Sequence, residues 1–308
     1  MKKGLLIVCG LLLGQTVWAS SLNGFNLEQS LIPAAEIHQG GPPRDGIPAL
    51  TSPKFIKASH ASFLEPNDRV LGVRLNGQSK AYPISIMNWH EIVNDHVGNQ
   101  AVVVTYCPLC GSGVAFSAVV NQQQLNFGVS GLLYNSDVLL YDRESESLWS
   151  QLLAQAITGR FKGSSLKLVP MEHTRWQDWL ARFPDTLVLS EQTGYRRDYH
   201  RDPYAGYEDD AGTYFPISHH DARYHPKERV LGIEIEGHFR AYPFAELSRT
   251  QGVIREEIQG ISITIQYDAK NQTARALDAS GQLLPGITAF WFAWMAFHPD
   301  SSVFQLTQ

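Results

Sequence analysis

Cys107-Pro108-Leu109-Cys110-Gly111 places two sulfurs three residues apart in a short turn. Thiols at that spacing can do three kinds of chemistry. Both can face one side of a tight bend and share a tetrahedral ion. They can cycle between dithiol and disulfide, the first as nucleophile and the second as resolving thiol. They can also close a permanent bridge, although so short a loop removes little entropy from the unfolded chain. Gly111 allows the left-handed bend that turns backbone N–H groups toward sulfur, and Pro108 stiffens the first corner.

For a metal, the pattern looks like one half of a rubredoxin or zinc-ribbon site, and the chain has no second cysteine pair to complete it. The remaining ligands must be histidine, carboxylate, methionine or water. His90 lies just upstream of the cysteine segment. His298 ends an apolar run, where an imidazole needs a polar reason to be buried. The expected metal set is therefore Cys107, Cys110, His90 and His298, and thiolates with imidazole suit zinc or copper(I). His90-Glu91 begins a zincin-like pattern, but Asn94 stands where its second histidine belongs, which removes the metalloprotease reading. For redox chemistry, Cys-Pro-x-Cys resembles a glutaredoxin site, whose thiolate rests on a helix N-terminus. The residues that follow here, Gly111-Ser112-Gly113-Val114-Ala115-Phe116, make a poor helix start. A thiol oxidoreductase using Cys107 and Cys110 on another scaffold is the first alternative. A non-enzymatic binding module with a structural disulfide is the second. Gly128-Val129-Ser130-Gly131 lacks the spacing of a nucleophile elbow. The prolines in Gly40-Gly41-Pro42-Pro43 remove the N–H donors a phosphate loop needs, leaving a rigid surface turn.

The turn follows a Val-rich strand, Val102–Tyr106, inside an internal repeat. Val70–Pro83 recurs as Val230–Pro243, with Gly72, Gly77, Ala81, Tyr82 and Pro83 matched 160 positions later. Each copy alternates apolar and polar residues around a glycine turn, the signature of a β-hairpin. A helical stretch follows the first copy, with Ile84, Met87, Ile92 and Val93 near helical spacing. A second β run follows in both copies, Ala101–Tyr106 and Ile261–Tyr267, so Cys107 corresponds to Asp268. The sulfurs therefore look added for a task. Between the copies, Thr174-Arg175-Trp176-Gln177 fits a capping box opening a helix with Trp176, Trp179, Leu180 and Phe183 on one face. Strands are expected at Leu166–Val169 and Thr186–Leu189. Residues 195–214 form a Tyr- and Asp-rich loop whose spacing fits no EF-hand. The apolar Phe290–Pro299 is expected to be a buried strand or helix. The fold class is α+β and β-rich, two duplicated hairpin lobes (about 68–120 and 228–279) joined by a strand–helix–strand region. The domain reading is a leader at 1–19, an irregular segment at 20–66 and one compact unit at 67–308.

Residues 1–19 read as a secretory signal: Lys2-Lys3, the apolar run Leu5–Leu13, and a Val17-Trp18-Ala19 cleavage site. The expected location is periplasmic or secreted, with no membrane span once the leader is removed. Without Lys2 and Lys3, 23 basic residues face 30 acidic ones, a net charge of −7. That balance excludes nucleic acid as an expected partner. Charged residues at 18% and apolar ones at 44% allow a substantial core.

At these residues the chain resembles the bacterial family known as domain of unknown function 3179. The resemblance rests on Gly40–Pro48, His90–Asp95, Thr105–Gly113, Ser130–Tyr134, Tyr141–Arg143, Leu148–Ser150, Asp198-Tyr199, Pro203-Tyr204 and Phe290–Pro299. It implies that residues 30–308 act as one unit and that His90, both cysteines and His298 belong to motifs. It assigns no activity.

Overall fold

A computed structural model describes residues 21–306. The expected leader, residues 1–19 with Cys9, lies outside them. The protein is β-rich, with 42% of the described residues in strands and 12% in helix. No helix among the described residues is long and apolar enough to cross a membrane.

The sequence repeat is a structural one. In the first lobe the hairpin Arg69–Leu75/Gln78–Pro83 is flanked by Met171–Arg175 (antiparallel) and Leu187–Leu189 (parallel). In the second, Arg229–Ile235/His238–Pro243 is flanked by Gly286–Phe290 (antiparallel) and Ser302–Val303 (parallel). The strand–helix–strand segment between the copies thus also completes the first lobe's sheet, and the chain's terminal segment does the same for the second. The two helices concerned, Trp176–Arg182 and Trp291–Phe297, seat their second tryptophan on the repeated glycine. A Cβ on Gly72 would lie 2.4 Å from the Trp179 ring, and one on Gly232 would lie 2.1 Å from Trp294. The glycines recur because an indole occupies the space where a side chain would be. Each indole N–H donates to a hydroxyl, Thr186 Oγ1 or Ser301 Oγ, at 2.9 Å.

An ion pair recurs as well. Lys80 Nζ sits 2.8 Å from Asp95 in the first lobe, and Arg240 Nε 2.7 Å from Glu256 in the second. Both cations lie on the second strand of the repeated hairpin, and both acids on the strand that follows the short helix.

Two local expectations need correction. The helix after the first hairpin spans Ile84–His90 only, while Ile92 and Val93 lie in the strand Ile92–Val97, because the helix ends at Glu91. The capping box does not form. The residue before the second helix is Arg175, without a side-chain cap, and Thr174 Oγ1 instead donates to Asp178 at 2.9 Å.

The cysteine strand, Gln100–Cys107, lies in a nine-stranded sheet that runs across both lobes. Both its faces are covered: Val102, Val104 and Tyr106 enter one core cluster, Ala101, Val103 and Cys107 another. A strand buried on both sides reads as a continuous apolar run, which is why its sequence is so valine-rich. The first lobe carries one major addition. After Ser112–Ser117 the chain builds the antiparallel strands Phe127–Tyr134, Asp137–Asp142, Leu148–Ser150 and Gln155-Ala156 before rejoining the lobe. The N-terminal strand Ile37–Gln39 pairs on its edge. Ser130 serves this sheet structurally, its hydroxyl donating to the Leu139 carbonyl.

Candidate metal centre

Cys107 pairs with Ser112, so Pro108–Gly111 is the four-residue loop of a hairpin. Cys110 N donates to Cys107 O at 3.2 Å and closes it. Gly111 has φ +56°. A Cβ there would also lie 2.8 Å from the Phe290 ring, whose backbone N–H donates to Cys110 O at 2.7 Å. Glycine is thus required both by the bend and by the aromatic packed over it.

The sister turn shows what this geometry does without sulfur. Asp268 pairs with Thr273 across the same four-residue loop, and Gln272 (φ +48°) stands in the place of Gly111. Cys107 and Cys110 become Asp268 and Asn271, joined by an Asn271 Nδ2 to Asp268 Oδ2 bond of 2.6 Å. The turn alone therefore needs no thiols.

The first lobe's addition brings a third donor. Asn135 and Ser136, at φ +51° and +63°, form the tight turn between its first two strands. That pair of positive φ angles marks a type I′ hairpin. It delivers the Ser136 carbonyl to the sulfurs, with Cys110 Sγ at 3.4 Å and Cys107 Sγ at 3.8 Å. Asp137 follows. Ligand atoms of Cys107, Cys110 and Asp137 all lie within 4.8 Å of one another, and all three residues are buried. Both cysteines are free thiols. Asp137 Oδ2 accepts from Leu152 N at 3.1 Å, whereas the buried Oδ1 has no well-aligned hydrogen-bond partner.

The electrostatics follow from burial. Desolvation pushes both thiols up, Cys110 well above the ordinary range. It lifts Asp137 to about 7, against the opposing pull of bonds from the Leu152 and Val138 backbone and the two thiols. It lifts Glu91, next to His90, to about 8, with the Asp137 charge as the second cause. No lysine or arginine forms an ion pair with Asp137 or Glu91 among the described residues. Glu91 also holds φ +58°, an angle that costs a non-glycine residue strain. Glu91, Cys107 and Tyr204 line one small cavity of about 90 Å³, roofed by Gly40, Pro42 and Ile47. The Gly40–Pro48 segment is thus a cover over the cysteine turn, with Gly40 N and Asp45 N donating to Gly131 O and Val129 O. In the Tyr-rich loop, Tyr199 and Tyr207 are buried. No converging group of metal donors occurs there among the described residues.

Neither sequence-predicted imidazole belongs to the donor group. His90 Nδ1 lies 2.7 Å from the Pro48 carbonyl and Nε2 2.7 Å from the Tyr199 hydroxyl, so both ring nitrogens are engaged. His298 stacks at 4.0 Å on Phe239 and lies 4.4 Å from Trp294, with the Leu152 backbone beside its ring. The N–H of Leu152 serves Asp137. Asp137 was not singled out in the sequence, and Glu91 only within the discarded zincin-like pattern, because neither stands at a ligand spacing from the cysteines. The one signal was negative: a Cys-x-x-Cys pair without a second pair must take its other donors from afar.

Burial holds His298 down to about 4, so it is neutral in the fold. Its contribution to stability is complete above its unfolded value near 6.5 and falls as pH drops from there toward 4. Phe183 occupies the matching place in the first lobe's helix. His298→Phe should therefore flatten the loss of stability between pH 6.5 and 4, measured by urea denaturation across that range. An unchanged profile would show that His298 is not the group concerned.

Fold and site together define a duplicated β-rich protein with a buried thiol–carboxylate group in one of its two lobes. The chain belongs to the family described as "Protein of unknown function (DUF3179)", whose family model matches residues 44–283. No curated protein matches it, and no solved structure does.

Proposed function

We propose that this is an exported metal-binding protein whose single ion, zinc or copper, is held by Cys107, Cys110 and Asp137. The observation that carries this reading is the convergence of three acidic donors within 4.8 Å in a buried site, with no ion pair to Asp137 among the described residues. Two thiolates and a carboxylate cannot be buried side by side as anions without a cation. A divalent ion would offset most of that charge and use the lone pairs of the unpartnered Asp137 Oδ1. The carboxylate favours zinc, since copper(I) prefers soft donors alone. The cavity beside Cys107 supports an open side on the ion, as metal-assisted chemistry or metal transfer requires.

A thiol oxidoreductase has less support. Burial disfavours both thiolates, and no helix begins at the turn to stabilise one. The structural-disulfide alternative needs a sulfur–sulfur bond, and both cysteines are free here.

Elemental analysis of the full chain, purified without chelators, should find one zinc or copper per molecule. Cys107→Ser and Asp137→Asn should each lose it, while His90→Gln and His298→Phe keep it. Loss in a histidine variant instead would bring that imidazole into the ligand set. Metal-free wild-type protein that also fails to take up zinc or anaerobic copper(I) would end the metal reading. Reversible oxidation of both thiols in that protein would favour the redox one.

A further inference from the structure

The duplication places two equivalent arginines, Arg69 and Arg229, on one cavity. Each opens the first strand of its lobe's hairpin, 160 positions apart, and both line a cavity of about 440 Å³ with His173, Tyr106 and Tyr199. The cavity lies across the cysteine strand from the thiols, because Tyr106 and Cys107 project from opposite faces.

The polar groups here are under-satisfied. Arg69 forms no ion pair among the described residues. Its two terminal nitrogens donate to the carbonyls of Gln272 and His173, at 3.3 and 3.0 Å, and its Nε is buried without a partner. Arg229 pairs with Glu208 at 2.9 Å through Nη2, while its Nη1 is likewise buried and unpartnered. His173 is 5% exposed, and neither of its ring nitrogens has a partner. Four nitrogens on three side chains are thus left over at one place, three of them able to donate at once while burial keeps His173 neutral. Burial pushes Arg69 down to about 9, with the neighbouring Arg229 charge as the second cause. Two like charges brought together out of water are costly unless something anionic joins them.

We infer that this inter-lobe cavity binds a small oxyanion, of the carboxylate or phosphate class, between Arg69 and Arg229. Guanidinium forks match the geometry of both oxyanions. Tyr106 and Tyr199 supply buried aromatic walls. Five acids line the cavity: Glu208 is already paired with Arg229, Glu65 and Asp202 are exposed, Glu191 is half-buried, and Asp68 and Asp202 accept from the Glu65 and Tyr204 backbone N–H groups. Water and salt screen their repulsion, and they favour a compact ligand with one anionic head over a polyanion.

The test is titration of the full chain with inorganic phosphate and, separately, with succinate, by calorimetry and thermal unfolding against chloride at matched ionic strength. Saturable heat and a raised melting temperature with one of the two are expected, and which one responds identifies the source of the oxyanion. Arg69→Gln and Arg229→Gln should each weaken binding about tenfold or more, the value of a charge-assisted bond. In chloride alone Arg69→Gln should melt no lower than wild type, because one of two adjoining buried charges is gone. Absence of heat from the wild type with both anions would overturn the proposal, whether or not the variants fold. Equal anion responses in wild type and both variants would do the same. Cys107→Ser should bind the anion as wild type does, which separates this site from the metal centre.

Discussion

Asp95→Ala should destabilise the protein by about 3–5 kcal/mol, the penalty for removing one partner of a buried ion pair. Lys80 is 6% exposed, and its ammonium donates to both Asp95 oxygens, at 2.9 and 2.8 Å, and to the His96 carbonyl at 2.8 Å. The Tyr82 hydroxyl donates to the same carboxylate at 2.7 Å. With the acid gone, the cation keeps only that carbonyl and the face of Phe55, 3.9 Å away. Lys80→Met in the Asp95→Ala background should restore much of the loss, since an apolar pair of similar volume is tolerated where a lone charge is not. The sister pair is a built-in control. Arg240 and Glu256 have side chains 22% and 18% exposed, so water can take over part of the bonding when Glu256 is removed. Urea unfolding of Asp95→Ala and Glu256→Ala, followed by tryptophan fluorescence, should show the larger loss for the first. Equal losses would mean that burial does not set the cost.

Trp294→Ala should cost a comparable 3–5 kcal/mol or so, as expected for emptying a core site of its largest side chain. Trp294 is 2% exposed, lies 4.4 Å from His298, and bonds Ser301 through its indole N–H. Its ring also explains a backbone choice on the facing strand, which makes a coupled test available. Gly232→Ala places a methyl within the ring's own volume and should cost about 1–3 kcal/mol by overpacking. In the Trp294→Ala background the same methyl enters a vacated site and should be neutral or stabilising. The cycle of two single variants and the double one should therefore show a strong favourable coupling. Additive losses would place the role of Gly232 in its backbone freedom instead.

Much of the architecture was readable because it obeys short-range rules. Glycine turns between alternating residues marked both hairpins, and their recurrence after 160 positions marked the duplication. The pairing of Cys107 with Asp268 carried into three dimensions, as two four-residue turns with sulfur in one and an Asp–Asn hydrogen bond in the other. The limits of the helix at His90 were less readable, because Ile92 and Val93 suit a helix face and a buried strand equally well.

The amino-acid order by itself determined the β-rich class, the doubled lobes and the two thiols on one bend, since each rests on neighbours a few residues apart. Only the tertiary structure decided what stands beside those thiols. Asp137 arrives from an added sheet and Glu91 from a helix end, while His90 spends its ring nitrogens on a carbonyl and a tyrosine hydroxyl and His298 stacks between Phe239 and Trp294. Likewise Arg69 and Arg229 meet only because the lobes pack together. Distance along a chain says nothing about which distant side chains converge. That is settled by how whole sheets pack, a sum over many weak contacts that no local pattern encodes.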